Sequence, residues 1–320
     1  MKFTRKLVAA ASFALAGLVA AAPAWAAWPE RPIEIVVGFA AGGGTDITAR
    51  TLAQHLGKAL GTSVVVNNKP GASGALGLAY VARAKADGYT LAMTNFPGLL
   101  TLPIERQAGF TTADFAYLGN LVRDPSAISV AMDSPYKTIA DVIAAAKKAP
   151  GTVSYGSTGA GTDDHLQMVM LEEIAGVKLL HVPFQGAGPL KNAMLGGHVA
   201  VGGLNLGEVM PQAGKQMRPL AQASATPSSL ASDVPTFKSQ GIDLVLASER
   251  GIVAPKGLPA DVEQKLAAAL KQIAASPEFQ AQMKQQYTEM DYLPGAEWKK
   301  RLDAADTYFR KLWATKRWSD

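Results

Sequence analysis

The stretch that most constrains this chain lies between residues 33 and 66. Ile33-Glu34-Ile35-Val36-Val37 is a β-branched run that stops at Gly38 and passes through Gly42-Gly43-Gly44. Thr45 or Asp46 can then cap a helix in which Leu52, Leu56 and Leu60 recur at helical spacing until Gly61 ends it. Val64-Val65-Val66 follows at once. Strand, helix and strand at so short an interval make a βαβ unit, which requires parallel pairing and a right-handed crossover. The design occurs a second time: a strand at 152–155, a glycine-rich loop at 156–162, a helix opened by Asp163 with Leu166, Met170 and Ile174 on one face, the stop Gly176, and a strand at 178–182.

Other segments fit the same α/β scheme. A turn at 67–77 leads into a helix near 78–84, Asp87-Gly88 turns into a strand at 89–93, and a helix covers 141–148. After Leu220 the chain loosens, residues 243–254 read as strand, and the end is helical. Val262, Leu266, Leu270 and Ile273 mark one apolar stripe, and Trp298, Leu302, Ala305, Phe309 and Leu312 another. With 320 residues there is room for two domains.

Lys2, Arg5 and Lys6 precede an apolar stretch at 7–22, and Ala24-Trp25-Ala26 has the small-x-small pattern that a signal peptidase reads. Residues 1–26 are therefore expected to be a signal peptide cleaved after Ala26, leaving the mature chain in the periplasm. The competing reading, an uncleaved anchor, needs a longer apolar span. Cleavage removes three cations from a formal charge of +5 and leaves +2. The short runs Lys147-Lys148 and Lys299-Lys300-Arg301 read as solvated helix faces, so no nucleic-acid partner is expected. Cysteine is absent, which rules out disulfides, thiol catalysis and thiolate metal sites.

A glycine-rich loop between strand and helix leaves backbone N–H groups free at the positive end of the helix dipole. Such a loop can cradle a carboxylate or phosphate. The plainer reading is a tight turn, but two such loops, each with hydroxyl and Asp residues at the helix start, favour binding. Ligands of open parallel sheets sit at the carboxyl ends of strands, where both loops fall. Enzyme motifs largely fail: the dinucleotide and P-loop spacings are missing, and Ser157 is flanked by Tyr155 and Gly159, which breaks the nucleophile elbow at its first glycine. His55, His165, His181 and His198 have no metal-ligand spacing, although His165 lies one turn from the second loop. Asp163 and Asp164 can cap their helix, and two free carboxylates would repel an anion. Asn205 and Glu208 can reach the cleft, with an exposed helix start as the alternative for Glu208.

The ordered motifs Trp28-Pro29-Glu30-Arg31-Pro32-Ile33, Val36-Val37-Gly38-Phe39-Ala40-Ala41-Gly42-Gly43-Gly44-Thr45-Asp46 and His181-Val182-Pro183-Phe184-Gln185-Gly186 resemble the tripartite tricarboxylate transporter receptors, the Bug or TctC family. V-V-V-N-N-K-P-G at 64–71, Asp87-Gly88-Tyr89-Thr90-Leu91 and Asp233-Val234-Pro235-Thr236-Phe237 continue the match. The resemblance implies a periplasmic receptor of the Venus-flytrap type, with two α/β lobes of mostly parallel sheets flanked by helices. The C-terminal helices would return to the first lobe. It places lobe I at 27–124 and 223–320 and lobe II at 125–222, with hinge strands near 122–130 and 220–226.

The implied ligand is a small organic acid, held at Ala41, Gly42, Gly43, Thr45 and Asp46 in the first loop and at Ser157, Thr158, Gly159, Thr162, Asp163 and His165 around the second. Asn95, Phe184, Gln185, Gly186 and Asn205 complete the expected cleft. The family often has Pro at the position of Ala41, Tyr-Lys-Gly at 184–186, and Asp where this chain has Ala200, so the polar lining differs here. A monomer without metal or cofactor is expected, serving a membrane permease of the same transporter type. Two alternatives stand beside it: a sensory receptor of the same fold, and a hydrolase built on Ser157 and His165.

Overall fold

The computed structural model describes residues 28–318; the signal peptide expected at 1–26 lies outside the described residues. The chain begins with β1 (Ile33–Val37), α1 (Gly44–Leu60), β2 (Val64–Asn68), α2 (Ala75–Ala82), β3 (Thr90–Met93) and α3 (Gly98–Glu105). The 17-residue strand β4 (Phe115–Ala131) then leads to α4 (Ile139–Lys148), β5 (Ser154–Ser157), α5 (Asp163–Ala175), β6 (Leu180–Pro183), α6 (Ala187–Leu195), β7 (Val201–Asn205), the one-turn α7 (Leu206–Val209) and β8 (Met217–Gln222). The return consists of β9 (Ala247–Pro255), α8 (Ala260–Ala275), α9 (Pro277–Gln285), β10 (Glu289–Pro294) and α10 (Gly295–Thr315).

In the first lobe β1 lies between β2 and β3, parallel to both. Its Ile33, Ile35, Val36 and Val37 are all buried, as a strand covered on both faces requires. On α1, Leu52 and Leu56 face this sheet while Gln54 and Lys58 are exposed, and Gly61 closes the helix in the left-handed conformation. In the second lobe β5 runs parallel to β6 and β7. Gly176 stops α5 in the same left-handed way. The two α/β lobes are thus those expected, and the parallel arms meet in an antiparallel centre: β9 pairs with β3 and β4, β10 with the start of β4, and β7 and β8 with its end.

β4 is therefore common to both lobes. Asp124-Pro125 in its middle reads as a breaker, yet pairing with β9 continues to Pro125 opposite Ala247, and from Ser126 onward β4 takes β7 as its partner. The C-terminal helices come back to the first lobe, with α8 against α1 and α10 against α3 and β4; Trp298 of α10 is fully buried. Among the described residues no helix is long and apolar enough to cross a membrane.

Candidate functional site

Four strand ends converge between the lobes: the loops after β1 and β5, Asn95 after β3, and Asn205 at the end of β7. All four follow the carboxyl ends of strands in parallel ladders, as the topology requires of a ligand site. The N-cap of α1, Gly43, has no side chain to cap the first turn, so the amides there look outward. Gly44 is required for a second reason: a Cβ there would run into the Arg250 guanidinium, which packs against the helix tip.

The Gly44 amide is occupied. It donates to Glu208 Oε1 at 2.7 Å, across the gap between lobes, and the other Glu208 oxygen accepts from the Asn205 amide at 3.0 Å. Glu208 is 6 % exposed, so it is neither a solvated helix start nor a rim residue. Asp46, in the same first turn, borders the cleft with its carboxylate already engaged, accepting from the Gly42 amide, Arg50 and Asn68. Burial works to raise its pKa, but the bonds from Arg50, Gly42 and Asn68 outweigh it and hold the carboxylate below its usual range.

At the second tip the carboxylates are internal struts. Asp163 Oδ2 accepts from Ser126 Oγ at 2.9 Å and Asn205 Nδ2 at 2.7 Å, which ties α5 to β4 and β7. Asp164 accepts from the Thr158 hydroxyl at 2.5 Å and closes the glycine loop on itself. Burial pushes both upward, and the charges of Asp163 and Glu208 drive Asp164 well above the ordinary carboxylate range. Behind them lies an ion pair absent from the sequence reading. Arg250 donates to Asp124 Oδ2 at 2.9 Å and to Asn205 Oδ1 at 3.1 Å, and both charged side chains are essentially unexposed. Burial raises Asp124 to about 7, against the pull of Arg250 and the Gly207 amide.

Of the expected site residues, the cleft cavity is lined by Gly43, Thr45, Asp46, Asn95, Thr158, Gly186 and Asn205. Phe39, Gly44, Ala187 and Glu208 line it as well. Gly44 and Phe39 lay inside the recognised loop motif; Glu208 carried only the signal of its position after β7. Ala41, Gly42 and Gln185 lie at the seam between lobes rather than on the cavity, and Phe184 packs within the second lobe beside Gly156. At the seam the Ala40 amide donates to the Gln185 carbonyl at 2.9 Å, and a Cβ on Gly188 would lie 2.8 Å from the Ala41 carbonyl oxygen. Gly159 also stands at the seam, against Ser73 of the first lobe. Thr162 Oγ1 donates to the Gly159 carbonyl and stiffens the loop. The cavity has a volume of about 10 Å³, room for little more than one water centre, so the lobes are shut.

Ser157 and His165 do not form a pair. Ser157 Oγ meets His181 Nε2 at 2.7 Å and is fully buried, while His165 Nδ1 accepts from the Gly161 amide. His165 and His181 stack at 4.1 Å and line a separate cavity with Met168 and Lys178. A serine with no exposed surface cannot meet an ester, so nothing in this geometry supports hydrolysis.

Two α/β lobes shut over a pocket at the carboxyl ends of their parallel strands define a solute-binding protein of the periplasmic-binding class. Residues 48–307 match the model of the tripartite tricarboxylate transporter family receptor, and the chain belongs to that family. A protein encoded in the gbd 5′ region of Cupriavidus necator is 39 % identical over 277 residues, covering 85 % of this chain and 84 % of that one. The periplasmic binding protein BugD superposes with a TM-score of 0.85 at 32 % identity, over 90 % of this chain and 98 % of BugD. An R. palustris protein solved with adipate gives a TM-score of 0.85 at 29 % identity, over 90 % and 98 % of the two chains. The family and its solved members are substrate-binding proteins, not enzymes, and this chain is a substrate-binding protein of the same kind.

Proposed function

We propose that this chain is exported to the periplasm, where as a monomer it closes its two lobes around a small carboxylated solute and presents the closed form to a permease of the tripartite tricarboxylate type. The observation that carries the reading is the α1 tip. Its Gly44 amide faces the interlobe gap, at the positive end of a 17-residue helix, and already holds a carboxylate. Further support comes from the adipate found in the R. palustris relative. Closure about β4 and the segment after β8 would bring the tips of α1 and α5 onto one guest.

Thermal melting against a panel of mono- and dicarboxylic acids, adipate included, tests this. A ligand at one hundred times its Kd stabilises the folded form by about 2.7 kcal/mol. For a chain of this size that is a rise in Tm of roughly 5 °C. At least one acid at micromolar to millimolar concentration should produce it. If no acid in the panel moves the transition while an uncharged solute does, the carboxylate reading is wrong.

A further inference from the structure

We propose that the cavity beside the stacked pair His165 and His181 is a second binding site, separate from the cleft, for a small monocarboxylic acid with an apolar or aromatic body. This goes beyond the proposed function and does not depend on what the cleft takes.

This cavity has a volume of about 350 Å³, the size of a small-molecule site. One wall is α5 and β6 with Ala160 of the second glycine loop. The other is Lys316, Arg317 and Trp318 near the end of the chain, where Trp318 Nε1 donates to Glu105 Oε2 of α3 at 2.8 Å. None of its lining residues lines the cleft cavity. The group that points to a ligand is His165, which is only 3 % exposed. Burial keeps its ring neutral, and Nδ1 accepts from the Gly161 amide at 3.1 Å, so the proton sits on Nε2. That N–H has no acceptor among the described residues, and a buried donor left unmet is costly. Met168, Val169, Leu179 and Trp318 supply apolar surface. The charges reduce to one cation. Lys178 and Lys316 pair with Glu172 and Glu173 at 3.2 and 2.8 Å, and Glu172 also accepts from the Leu179 amide. Arg317 is exposed, and its described contact is the Trp313 ring at 5.7 Å. One cation, one imidazole N–H and an apolar wall suit one carboxylate on a hydrophobic body. A phosphate or a dicarboxylate would bring a further charge that nothing here meets.

Benzoate is the probe, with benzamide as its uncharged counterpart and inorganic phosphate as charge without a body. The chain has four histidines, so 15N-histidine labelling gives four rings to follow by NMR, and His165→Asn assigns the signal of His165. Benzoate at millimolar concentration or below should shift the His165 Nε2 resonance saturably and slow exchange of its proton with water. Benzamide should bind about tenfold more weakly, and phosphate should leave the ring unmoved. Lys178 and Arg317 are exposed and stand outside the cleft, so their substitution leaves the fold and the cleft intact. Arg317→Met removes the counterion and Lys178→Met bares the charge of Glu172, and each should weaken benzoate about fivefold. A His165 signal that benzoate leaves in place would overturn the proposal. So would benzamide or phosphate binding as tightly as benzoate, or an affinity unchanged in both variants. Because these substitutions lie outside the cleft, the result is separate from whether the cleft binds an acid.

Discussion

The stacked imidazoles of His165 and His181 show how burial sets chemistry at single residues. Burial first, then the positive potential of His181 and Arg106, depresses His165 to about 3, so it is neutral in the folded protein. In the unfolded chain it would take up a proton near pH 6.5. A depressed folded pKa means that the stability is fully present above 6.5 and is lost as pH falls toward 3. His181, also lowered by burial, adds in the same direction. Asp163 and Asp164, raised by burial, act oppositely: their contribution is present in acid and lost as pH rises. His165→Asn keeps an acceptor for the Gly161 amide and does not titrate. Urea unfolding should show it losing about 2 kcal/mol less than the parent between pH 7 and 4.5; an unchanged difference would place the acid sensitivity elsewhere. None of this was legible in the sequence, where the four histidines had no pattern. The places of Gly43, Thr45 and Thr158 on the cavity wall were legible, because glycine-rich strand ends reveal themselves locally, while that of Gly186 came from the resemblance. Arg250 was not legible, and Glu208 showed only by its position after a strand, since their partners Asp124 and Gly44 lie 126 and 164 residues away.

At the level of elements, periodicity and stop signals located β1, α1, β5 and α5 well, because an apolar run, a helical leucine repeat and a left-handed glycine are each encoded within a few residues. The length of β4 was legible only in part: the resemblance placed a hinge strand near 122–130, across Pro125, but the start at Phe115 shows only in the pairing with β9. Close approach of backbones explains why the loop after β1 must begin with glycine. A Cβ on Gly38 would stand 2.7 Å from both the Cα and the carbonyl oxygen of Gly74, main chain against main chain, with no flexible atom to yield. Gly38→Ala should therefore cost about 2 kcal/mol by urea denaturation. A cost within error would mean that the start of α2 can move away from β1.

For the whole molecule, the α/β form followed from the repeated strand, loop and helix, and the family, with the two lobes it implies, from ordered motifs along the chain. The state of the cleft did not follow, because closure depends on contacts between lobes such as Ala40 with Gln185 and Thr101 with Gly161. Differential affinity for the closed form is what lets a solute act as a signal to a membrane partner. The most direct test is hydrogen-exchange mass spectrometry with and without the acid that raises Tm most. Added protection should fall together on residues 38–47, 156–166 and 203–209, the two helix tips and the end of β7. A stabilising acid that leaves these three segments unchanged and protects another face would contradict the account.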